Sequence, residues 1–423
     1  MPEQHQDRGT LVVAGQGYVG LPLAVSAVEM GWNVIGVEPD PLRAKRLQAG
    51  ESYVDDITSE ELAAALETGR YHPTPGYEQC QDFDVAVITV PTPLRDGNPD
   101  LSYIEDASRS LARCLKKGAT VILESTTYPG TTEELVAPIL EQSGLQAGKE
   151  FHLGYSPERI DPGNKTWTFV STPKVVSGVD PESLEKVQAF YDSVIDTTVP
   201  VATPREAELA KLLENTFRHV NIALVNELAM FAHELGIDIW EAIDAASSKP
   251  FGFMRFTPGP GVGGHCLPID PSYLSWQVKQ SLGRPFRFVE LANDINEHMP
   301  DYVVRRVTAA LNEQKKPVNG SRILLLGIAY KKNTGDARES PGPQVAALLS
   351  ATGGVVRACD PHVEPTLMDG VDLVELTEEE LSAADLVVVL TDHDRFDFDL
   401  VAEHAPHVLD CRRVPELSGA ETL

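Results

Sequence analysis

A glycine-rich turn near the N-terminus constrains the fold of this chain more than any other stretch of its 423 residues. Gly15, Gly17 and Gly20 stand in G-x-G-x-x-G spacing, directly after the short apolar run LVVAG and at the start of the helical pattern LPLAVSAVEMG. The first glycine permits a tight turn, the second lets a pyrophosphate approach the backbone, and the third lets the helix pack closely on the strand. The spacing therefore predicts a strand, a turn and a helix whose N-terminus faces a dinucleotide.

Short apolar runs alternate with helical patterns in both halves of the chain. The first half contains NVIGVEP, DVAVITV, TVILEST, FHLGYSPE and PKVVSGV, and the second contains SRILLLGIAY, GVVRACDP, DLVVVL and HVLDC. Runs of this length separated by helices predict parallel sheets with crossover connections. We therefore expect an α/β fold with two Rossmann-like, doubly wound domains joined by a central helical region.

One long helix is predicted in that central region. Thr203 and Glu206 form a capping box, Pro204 takes the first helical position, and apolar residues recur at helical spacing until Gly236 ends the pattern. The helix should be about 48 Å long, and we expect it both to bridge domains and to pack against a partner subunit in a homodimer or larger homo-oligomer. The predicted domains are a first α/β domain over 1–203, a helical linker and dimerisation domain over 204–314, and a second α/β domain over 315–423.

Charge and composition exclude several classes of protein. The chain has 35 Lys and Arg against 63 Asp and Glu, a net charge of −28 that repels nucleic acid and anionic membranes. Apolar runs stay well below the roughly 18 to 20 residues of a membrane span, and the polar start MPEQHQDRGT lacks the apolar core of a signal peptide. We expect a cytoplasmic protein. The five cysteines show no C-x-x-C spacing, so we expect neither a disulfide framework nor a metal.

An acidic residue after the second predicted strand indicates which dinucleotide binds. Glu38 lies eighteen positions past Gly20, where a carboxylate accepts hydrogen bonds from ribose hydroxyls and repels a 2′-phosphate. Arg43 follows five residues later and could instead accommodate that phosphate. We predict NAD rather than NADP.

Polar residues at strand ends and on the long helix are candidates for chemistry. Lys211 and Asn215 are four residues apart and share one helix face, although such a pair is more often solvated surface. Thr126 and Glu158 each follow a predicted strand, and ligands bind at the carboxyl ends of strands in open α/β sheets. These four residues are therefore candidates for a shared site.

The loop GPGVGGHCLPID, residues 259–270, adds a cysteine and an aspartate. A lone cysteine is usually buried and inert, but four glycines in this loop exceed what a turn needs and suit a loop that wraps a ligand closely. Cys266 would be presented to that ligand, with Asp270 near enough to handle a proton.

Seven motifs in order resemble the UDP-glucose/GDP-mannose dehydrogenase family, the nucleotide-sugar 6-dehydrogenases. They are GQGYVGLPLA, VPTPL, ESTTYPGTTEE, YSPERIDPGN, AKLLENTFRHVNIALVNE, PGVGGHCLPIDPSYL and YKKNTGDARESP. The resemblance is strong over about residues 11–345 and looser beyond. It implies that the domain over 1–203 binds NAD and that the domain over 315–423 binds a UDP-sugar. It also implies a four-electron oxidation of a sugar C6 alcohol to a carboxylate, with two NAD⁺ and one water.

The resemblance also implies roles for individual residues. Cys266 resembles the family's nucleophile, which holds the C6 aldehyde as a thiohemiacetal and then a thioester. Lys211 matches the lysine that supports charge on the C6 oxygen, Asn215 matches the asparagine beside it, and Asp270 matches the aspartate that helps position water and accept protons. Thr126 and Glu158 match the water and substrate network. The implied cofactor-binding residues are Gly15, Gly17, Tyr18, Val19, Gly20, Glu38, Arg43, Pro91, Thr92, Thr126 and Arg338. The implied substrate-binding residues are Glu158, Arg159, Lys211, Asn215, Phe251, Gly261, Gly263 and Lys332.

Departures from the UDP-glucose branch shift the expected substrate. His265 stands where that branch has serine, Pro268 where it has lysine, and RIDPG after Glu158 lacks a second glutamate. The sequence is more similar to the UDP-N-acetylhexosamine branch, in particular the UDP-N-acetylglucosamine 6-dehydrogenases. The alternatives are a UDP-glucose 6-dehydrogenase, a two-electron dehydrogenase of the hydroxyacid type, and a nucleotide-sugar sensor that binds without turnover.

Overall fold

The computed structural model describes residues 8–54, 56–95, 97–160, 164, 166–264, 267–337, 339–364 and 371–423. The chain divides into two compact units, Met1–Glu214 and Asn215–Leu423. The predicted three-domain division, with boundaries after residues 203 and 314, stays a prediction.

The first unit is built on an eight-stranded sheet. Its strands are β1 Thr10–Ala14, β2 Asn33–Val37, β3 Tyr71–Thr74, β4 Val85–Ile88, β7 Thr120–Leu123, β8 His152–Tyr155, β9 Lys174–Gly178 and β10 Thr198–Pro200, and a separate hairpin pairs β5 Leu94–Arg95 with β6 Asn98–Pro99. Its helices are α1 Gly20–Glu29, α2 Pro41–Gln48, α3 Ser59–Glu67, α4 Ser102–Ala112, α5 Ala137–Leu140 and α6 Pro181–Tyr191, with a π-helical turn at Thr132–Val136 and a 3₁₀ turn at Glu141–Ser143.

The strands of the first sheet lie in the order β10-β9-β8-β7-β4-β1-β2-β3. Strands β4 and β7 are runs of four buried aliphatic or small residues, because helices cover both faces of a parallel sheet. Two apolar cores result, one on each face. Side-chain caps begin several of the helices, such as Asp40 before α2 and Thr58 before α3.

One strand direction differs from the prediction. The sequence pattern predicted a parallel continuation through PKVVSGV, whereas β9 runs antiparallel to β8, with Gly154 opposite Gly178. A parallel neighbour needs a crossover connection, usually a helix. The described residues between Ser156 and Pro173 form only turns and extended chain, so the chain returns beside β8 in the opposite direction.

The long helix is α7, Pro204–Glu234, which starts in the first unit and ends in the second. Thr203 and Glu206 of the predicted capping box are in contact, since the Thr203 hydroxyl donates to the Glu206 carboxylate. Gly236 follows the helix with φ of +68°, a left-handed conformation that suits glycine.

The second unit carries the remaining helices and a six-stranded sheet. Its other helices are α8 Ile239–Ser247, α9 Asp270–Leu282, α10 Arg287–Glu297, α11 Met299–Glu313, α12 Pro341–Ala351, α13 Glu378–Ala383 and α14 Phe398–His404. Its strands are β11 Arg322–Leu326, β12 Val355–Cys359, β13 Asp372–Leu373, β14 Leu386–Val389, β15 Val408–Asp410 and β16 Glu421–Thr422, with a 3₁₀ turn at Pro415–Leu417.

All pairings in the second sheet are parallel, in the order β13-β12-β11-β14-β15-β16. An apolar core again lies on each face. The predicted α/β class with two doubly wound sheets is therefore confirmed. Among the described residues, the helices are all too short or too polar to cross a membrane.

Candidate active site

The glycine turn after β1 has the geometry that its spacing predicts. Gly15 has φ of +98°, and a Cβ added there would lie 2.5 Å from the Thr89 carbonyl oxygen. A Cβ on Gly20 would overlap the Gly15 carbonyl oxygen, so the start of α1 can approach the strand only without a side chain. At Gly17 a Cβ would meet no described atom within 4 Å. The first and third glycines are needed by the fold, and the second leaves open space at the helix N-terminus.

Glu38 is buried at the end of β2, within a group of polar and charged side chains. One carboxylate oxygen accepts the Asp40 backbone N–H at 3.1 Å, and the other accepts the Tyr53 hydroxyl at 3.2 Å. The Tyr53 hydroxyl also lies 2.8 Å from the Gln16 carbonyl oxygen, so it ties the acid to the glycine turn. The Arg43 guanidinium lies over the Tyr53 ring at 5.4 Å from its centroid. Burial and the charge of Glu38 raise the pKa of Tyr53, which keeps its proton for these bonds.

These features fit a bound NAD. The turn leaves open space at the start of α1, where the positive end of the helix favours a pyrophosphate, and Glu38 stands where a ribose diol can donate to it. Of the other cofactor residues expected from the sequence, Tyr18 and Pro91 are exposed, and Val19 and Thr92 are partly buried near the ends of β1 and β4. Arg338 lies outside the described residues.

Lys211 and Glu158 meet in the first unit. The Lys211 ammonium, on α7, donates to the Glu158 backbone oxygen at 2.5 Å, and both residues are buried. Thr126, partly buried, follows β7, the strand that pairs with β8. Arg159 donates to the Pro173 carbonyl oxygen at 2.7 Å and pairs with Glu214 at 2.8 Å. A cation and a carboxylate thus lie beyond the carboxyl end of β8, where ligands bind in open α/β sheets.

A second cation behind Glu158 was missed by the sequence reasoning. Lys174, at the start of β9, is ion-paired with both Glu158 and Glu124, and Tyr191 donates to Glu124 at 2.7 Å. All four side chains are buried. The signal that could have found them is a charged residue at the end of an otherwise apolar strand, as in VILE and PKVV.

Glu208, also missed, is buried on α7 one turn before Lys211. Its carboxylate accepts the backbone N–H groups of Gly130 and Thr132 and the Thr132 hydroxyl, the last at 2.7 Å. Burial outweighs these bonds and raises the pKa of Glu208 to about 7. Glu208 therefore fixes the loop after β7 to the helix that carries Lys211.

In the second unit, Asn215 and Asp270 are brought together. The Asn215 amide donates to the Asp270 carboxylate at 2.5 Å, and both side chains are buried. Asp270 is the first residue of α9, so its charge also lies at the positive end of that helix. Arg218 donates to the Asn215 amide oxygen at 2.5 Å, which fixes the orientation of that amide.

The glycine loop is held closely by its surroundings in the second unit. The Gly259 N–H donates to the Asn226 side-chain oxygen at 3.0 Å. A Cβ on Gly263 or Gly264 would press on Tyr330, at 2.6 and 2.8 Å, and one on Gly261, where φ is +135°, would lie 3.2 Å from the Asn296 carbonyl oxygen. The glycines are therefore required by close packing. Cys266 and His265 lie outside the described residues.

Two further expected substrate residues lie in the second unit. Lys332 is exposed and pairs with Asp394 at 2.7 Å and Asp392 at 3.4 Å, and the hydrogen bond with Asp394 raises the pKa of Lys332. Phe251 is 70% exposed, with the Lys249 ammonium 4.8 Å from its ring centroid.

A glycine turn followed by a buried acid at the end of the second strand, in the same unit as a buried lysine and carboxylate, indicates the class of an NAD-dependent dehydrogenase. Three domain models match in order: the NAD-binding domain over residues 10–195, the central domain over 205–298 and the UDP-binding domain over 324–416. The chain belongs to the UDP-glucose/GDP-mannose dehydrogenase family. The predicted family, the oxidoreductase class and the use of NAD are thereby confirmed, and the third match supports a UDP-containing substrate.

Relatives cover nearly the whole chain. A UDP-N-acetyl-D-glucosamine 6-dehydrogenase of Pseudomonas aeruginosa is 39% identical over 358 residues, covering 84% of this chain and 83% of the relative. A UDP-N-acetyl-D-mannosamine dehydrogenase of Pyrococcus horikoshii is 34% identical over 387 residues, covering 91% and 90%. The solved structure of a UDP-glucose dehydrogenase of Pyrobaculum islandicum has a TM-score of 0.88 at 30% identity, covering 100% and 98%.

Proposed function

We propose that this protein oxidises the C6 hydroxyl of a UDP-N-acetylhexosamine to the carboxylate. The observation that carries the proposal is the buried contact of the Lys211 ammonium with Glu158, in the same unit as the dinucleotide turn. The names of the two relatives above support an N-acetylhexosamine as the sugar. A UDP-glucose substrate is the second candidate, because the solved relative of that name covers the whole chain.

The proposed reaction balances as R–CH₂OH + H₂O + 2 NAD⁺ → R–COO⁻ + 2 NADH + 3 H⁺. Bound NAD⁺ supplies the hydride acceptor, held by the glycine turn, Glu38, Thr92, Arg338 and the neighbouring residues expected from the sequence. The protein must therefore hold a reactive aldehyde between two oxidations, and a covalent bond to the chain achieves this.

Cys266 is the proposed nucleophile. Its sulfur bonds to the aldehyde carbon and forms a thiohemiacetal, and the second oxidation converts this adduct to a thioester. Water then attacks the carbonyl carbon, the C–S bond breaks, and the thiol and the carboxylate are released. Both redox steps thus occur on a bound carbon atom.

The neighbouring groups have electrostatic and proton-transfer roles in this proposal. The Lys211 ammonium and the Asn215 amide stabilise negative charge that develops on the C6 oxygen. Asp270 positions water and accepts protons, while Thr126 and Glu158 orient water and substrate. Arg159, Phe251, Gly261, Gly263 and Lys332 are the proposed substrate contacts. We propose no metal.

A homodimer or larger homo-oligomer is part of the proposal. Apolar residues on α7 that its helical spacing would place in a core are instead exposed, including Leu213, 63% exposed, and Phe231, 54% exposed. A second subunit would remove this surface from water. We expect light scattering to give at least twice the mass of the 46.0 kDa chain. A cytoplasmic location remains a prediction.

A panel of sugars tests the reaction. We expect UDP-GlcNAc, UDP-GalNAc or UDP-ManNAc to give faster NADH formation than UDP-glucose or GDP-mannose, with two NADH per sugar consumed. One NADH per sugar would indicate a two-electron dehydrogenase, and tight binding without NADH would indicate a sensor.

The Cys266→Ser variant tests the nucleophile. We expect it to lose complete oxidation while it binds NAD with unchanged affinity, measured by titration calorimetry. Full uronate production by this variant would contradict the assignment of Cys266.

A further inference from the structure

Glu158 belongs to a buried group of charges whose other members have no role in the proposed reaction. The group consists of Lys174, Glu124, Glu158 and Tyr191, all in the first unit. The side chain of Lys174 is only 4% exposed, and that of Glu124 is fully buried. Taking an ammonium or a carboxylate out of water is costly, so such groups persist in a protein interior when they are paired.

The contacts form a connected chain. The Lys174 ammonium donates to Glu124 and, at 3.2 Å, to Glu158, and the Tyr191 hydroxyl donates to the other Glu124 oxygen at 2.7 Å. The second Glu158 oxygen accepts the Ile160 backbone N–H. Each Glu158 oxygen therefore has a fixed donor, and the carboxylate has one orientation.

One ammonium pairs with two carboxylates, and the pKa values of the two carboxyl groups shift in opposite directions. Burial, with Glu158 nearby, raises the pKa of Glu124 well above its usual range despite the attraction of Lys174. Burial opposes ionisation of Glu158 as well, but the charges of Lys174 and Lys211 and a hydrogen bond from Glu124 lower the pKa of Glu158. Glu124 thus holds its proton to a higher pH than Glu158 does.

The geometry points to Lys174 as a positioning residue that keeps the Glu158 carboxylate charged and fixed beside the Lys211 ammonium, with Glu124 and Tyr191 orienting Lys174. This inference rests on the proposed function, because it assumes that the ionised form of Glu158 serves the reaction. Lys174 acts through Glu158, and its contacts are to Glu124 and Glu158 and the rings of Phe169 and Tyr191.

The test compares kcat as a function of pH in Lys174→Met, Lys174→Arg and Glu124→Gln, with the fastest UDP-sugar of the panel and saturating NAD. Lys174→Met removes the counter-charge of Glu158, so the acid limb of the profile should move up by about one pH unit or more. The carboxylate also loses a donor that fixes its orientation, so kcat at neutral pH should fall about tenfold. Lys174→Arg should restore most of the shift. Glu124→Gln should not move the limb upwards, because Lys174 then serves Glu158 alone.

Lys116→Met is the matched control, since Lys116 pairs with Asp84 at 2.7 Å in the same unit but is partly exposed. It should leave the pH profile unchanged, and NAD affinity should be unchanged in every variant. A folded Lys174→Met enzyme with the wild-type acid limb would overturn the inference. If Lys174→Met does not fold, the other two variants decide. An upward shift of the acid limb in Glu124→Gln would overturn the inference. An unshifted limb in both Glu124→Gln and Lys174→Arg would support it.

Glu158→Gln separates this inference from the proposed function. If Glu158→Gln is inactive and the pH profile of Lys174→Met is unshifted, the role of Lys174 is contradicted while the role of Glu158 in the proposed function stands. Wild-type turnover by Glu158→Gln would remove Glu158 from the proposed function and Lys174 with it.

Discussion

The first strand of each sheet ends in a glycine with a left-handed backbone. Gly15 after β1 has φ of +98°, and Gly327 after β11 has φ of +82°. In both turns the glycine N–H donates at 2.9 Å to the last residue of the next strand, the carbonyl of Val37 in one and of Cys359 in the other. In each turn an added Cβ would overlap a carbonyl oxygen that follows the neighbouring strand, that of Thr89 after β4 or that of Thr391 after β14. The two sheets therefore begin with the same backbone geometry.

The acids that follow the second strands are used differently. Glu38 accepts one backbone N–H and one tyrosine hydroxyl, and its carboxylate keeps capacity for further donors. The Asp360 side chain is fully buried. Its carboxylate accepts the backbone N–H groups of Ile328 at 2.7 Å and Ala329 at 2.9 Å, in the loop after Gly327. Its carboxylate also accepts two backbone N–H groups of its own turn and the ring Nε2–H of His393, the last at 3.0 Å.

The difference follows from the length of the glycine loop. Helix α1 begins five residues after Gly15, whereas α12 begins fourteen residues after Gly327, and that longer loop must be held in place. Asp360 and His393 do so, since His393 Nδ1 accepts the Asn333 N–H and its Nε2 proton points to Asp360. The same position thus holds an acid available to a ligand in one sheet and an acid occupied by the chain itself in the other.

The largest expected effects come from the two glycines. Gly15→Ala and Gly327→Ala each add a clash to an unfavourable φ, and each should lower the free energy of unfolding by about 3 kcal/mol in urea denaturation. Only Gly15→Ala should abolish NAD binding, measured by titration calorimetry. Gly118→Ala is the control, because its φ of +82° equals that of Gly327 while its Cβ would meet no described atom within 4 Å. Equal losses of NAD affinity in Gly15→Ala and Gly327→Ala would contradict the assignment of NAD binding to the first turn alone.

Asp360→Asn should have the next largest effect, on stability rather than on NAD. Burial opposes ionisation, but the bond from His393 and those from backbone N–H groups lower the pKa of Asp360 to about 2. A carboxylate with a depressed pKa stabilises the fold above its unfolded pKa of about 4, and this contribution is lost as the pH falls towards about 2. We expect a cost of about 2 kcal/mol at neutral pH that shrinks as the pH is lowered. A cost that does not change with pH would show that the charge of Asp360 is unimportant.

The sequence predicted the parts of this comparison that depend on local pattern. Strands, helices and the positive-φ glycine at position 15 follow from spacing, and Glu38 was recognised from its distance to Gly20. VEPD and CDPH look equivalent in sequence, however, and only the tertiary contacts of Asp360 show that its carboxylate is occupied. Lys174 and the direction of β9 were missed for the same reason, since both depend on partners distant in the chain. The role of Cys266 stays a prediction.

The smallest expected effect comes from Tyr53, which orients Glu38 without being required by the fold. Tyr53→Phe removes the donor to Glu38 and the Gln16 carbonyl but keeps the ring under Arg43, so NAD affinity should fall about fivefold, or about 1 kcal/mol. Tyr71→Phe is the matched control, because the Tyr71 hydroxyl bonds the buried Gln16 side chain at 2.6 Å and its loss should affect stability more than NAD affinity.

The wild-type enzyme should turn over NADP much more slowly than NAD, and Glu38→Gln should narrow the ratio of the two rates. Equal wild-type rates with the two cofactors would show that Glu38 does not discriminate between NAD and NADP. The contrast with Asp360 would then be one of structure only, because Glu38 would have no demonstrated effect on the cofactor.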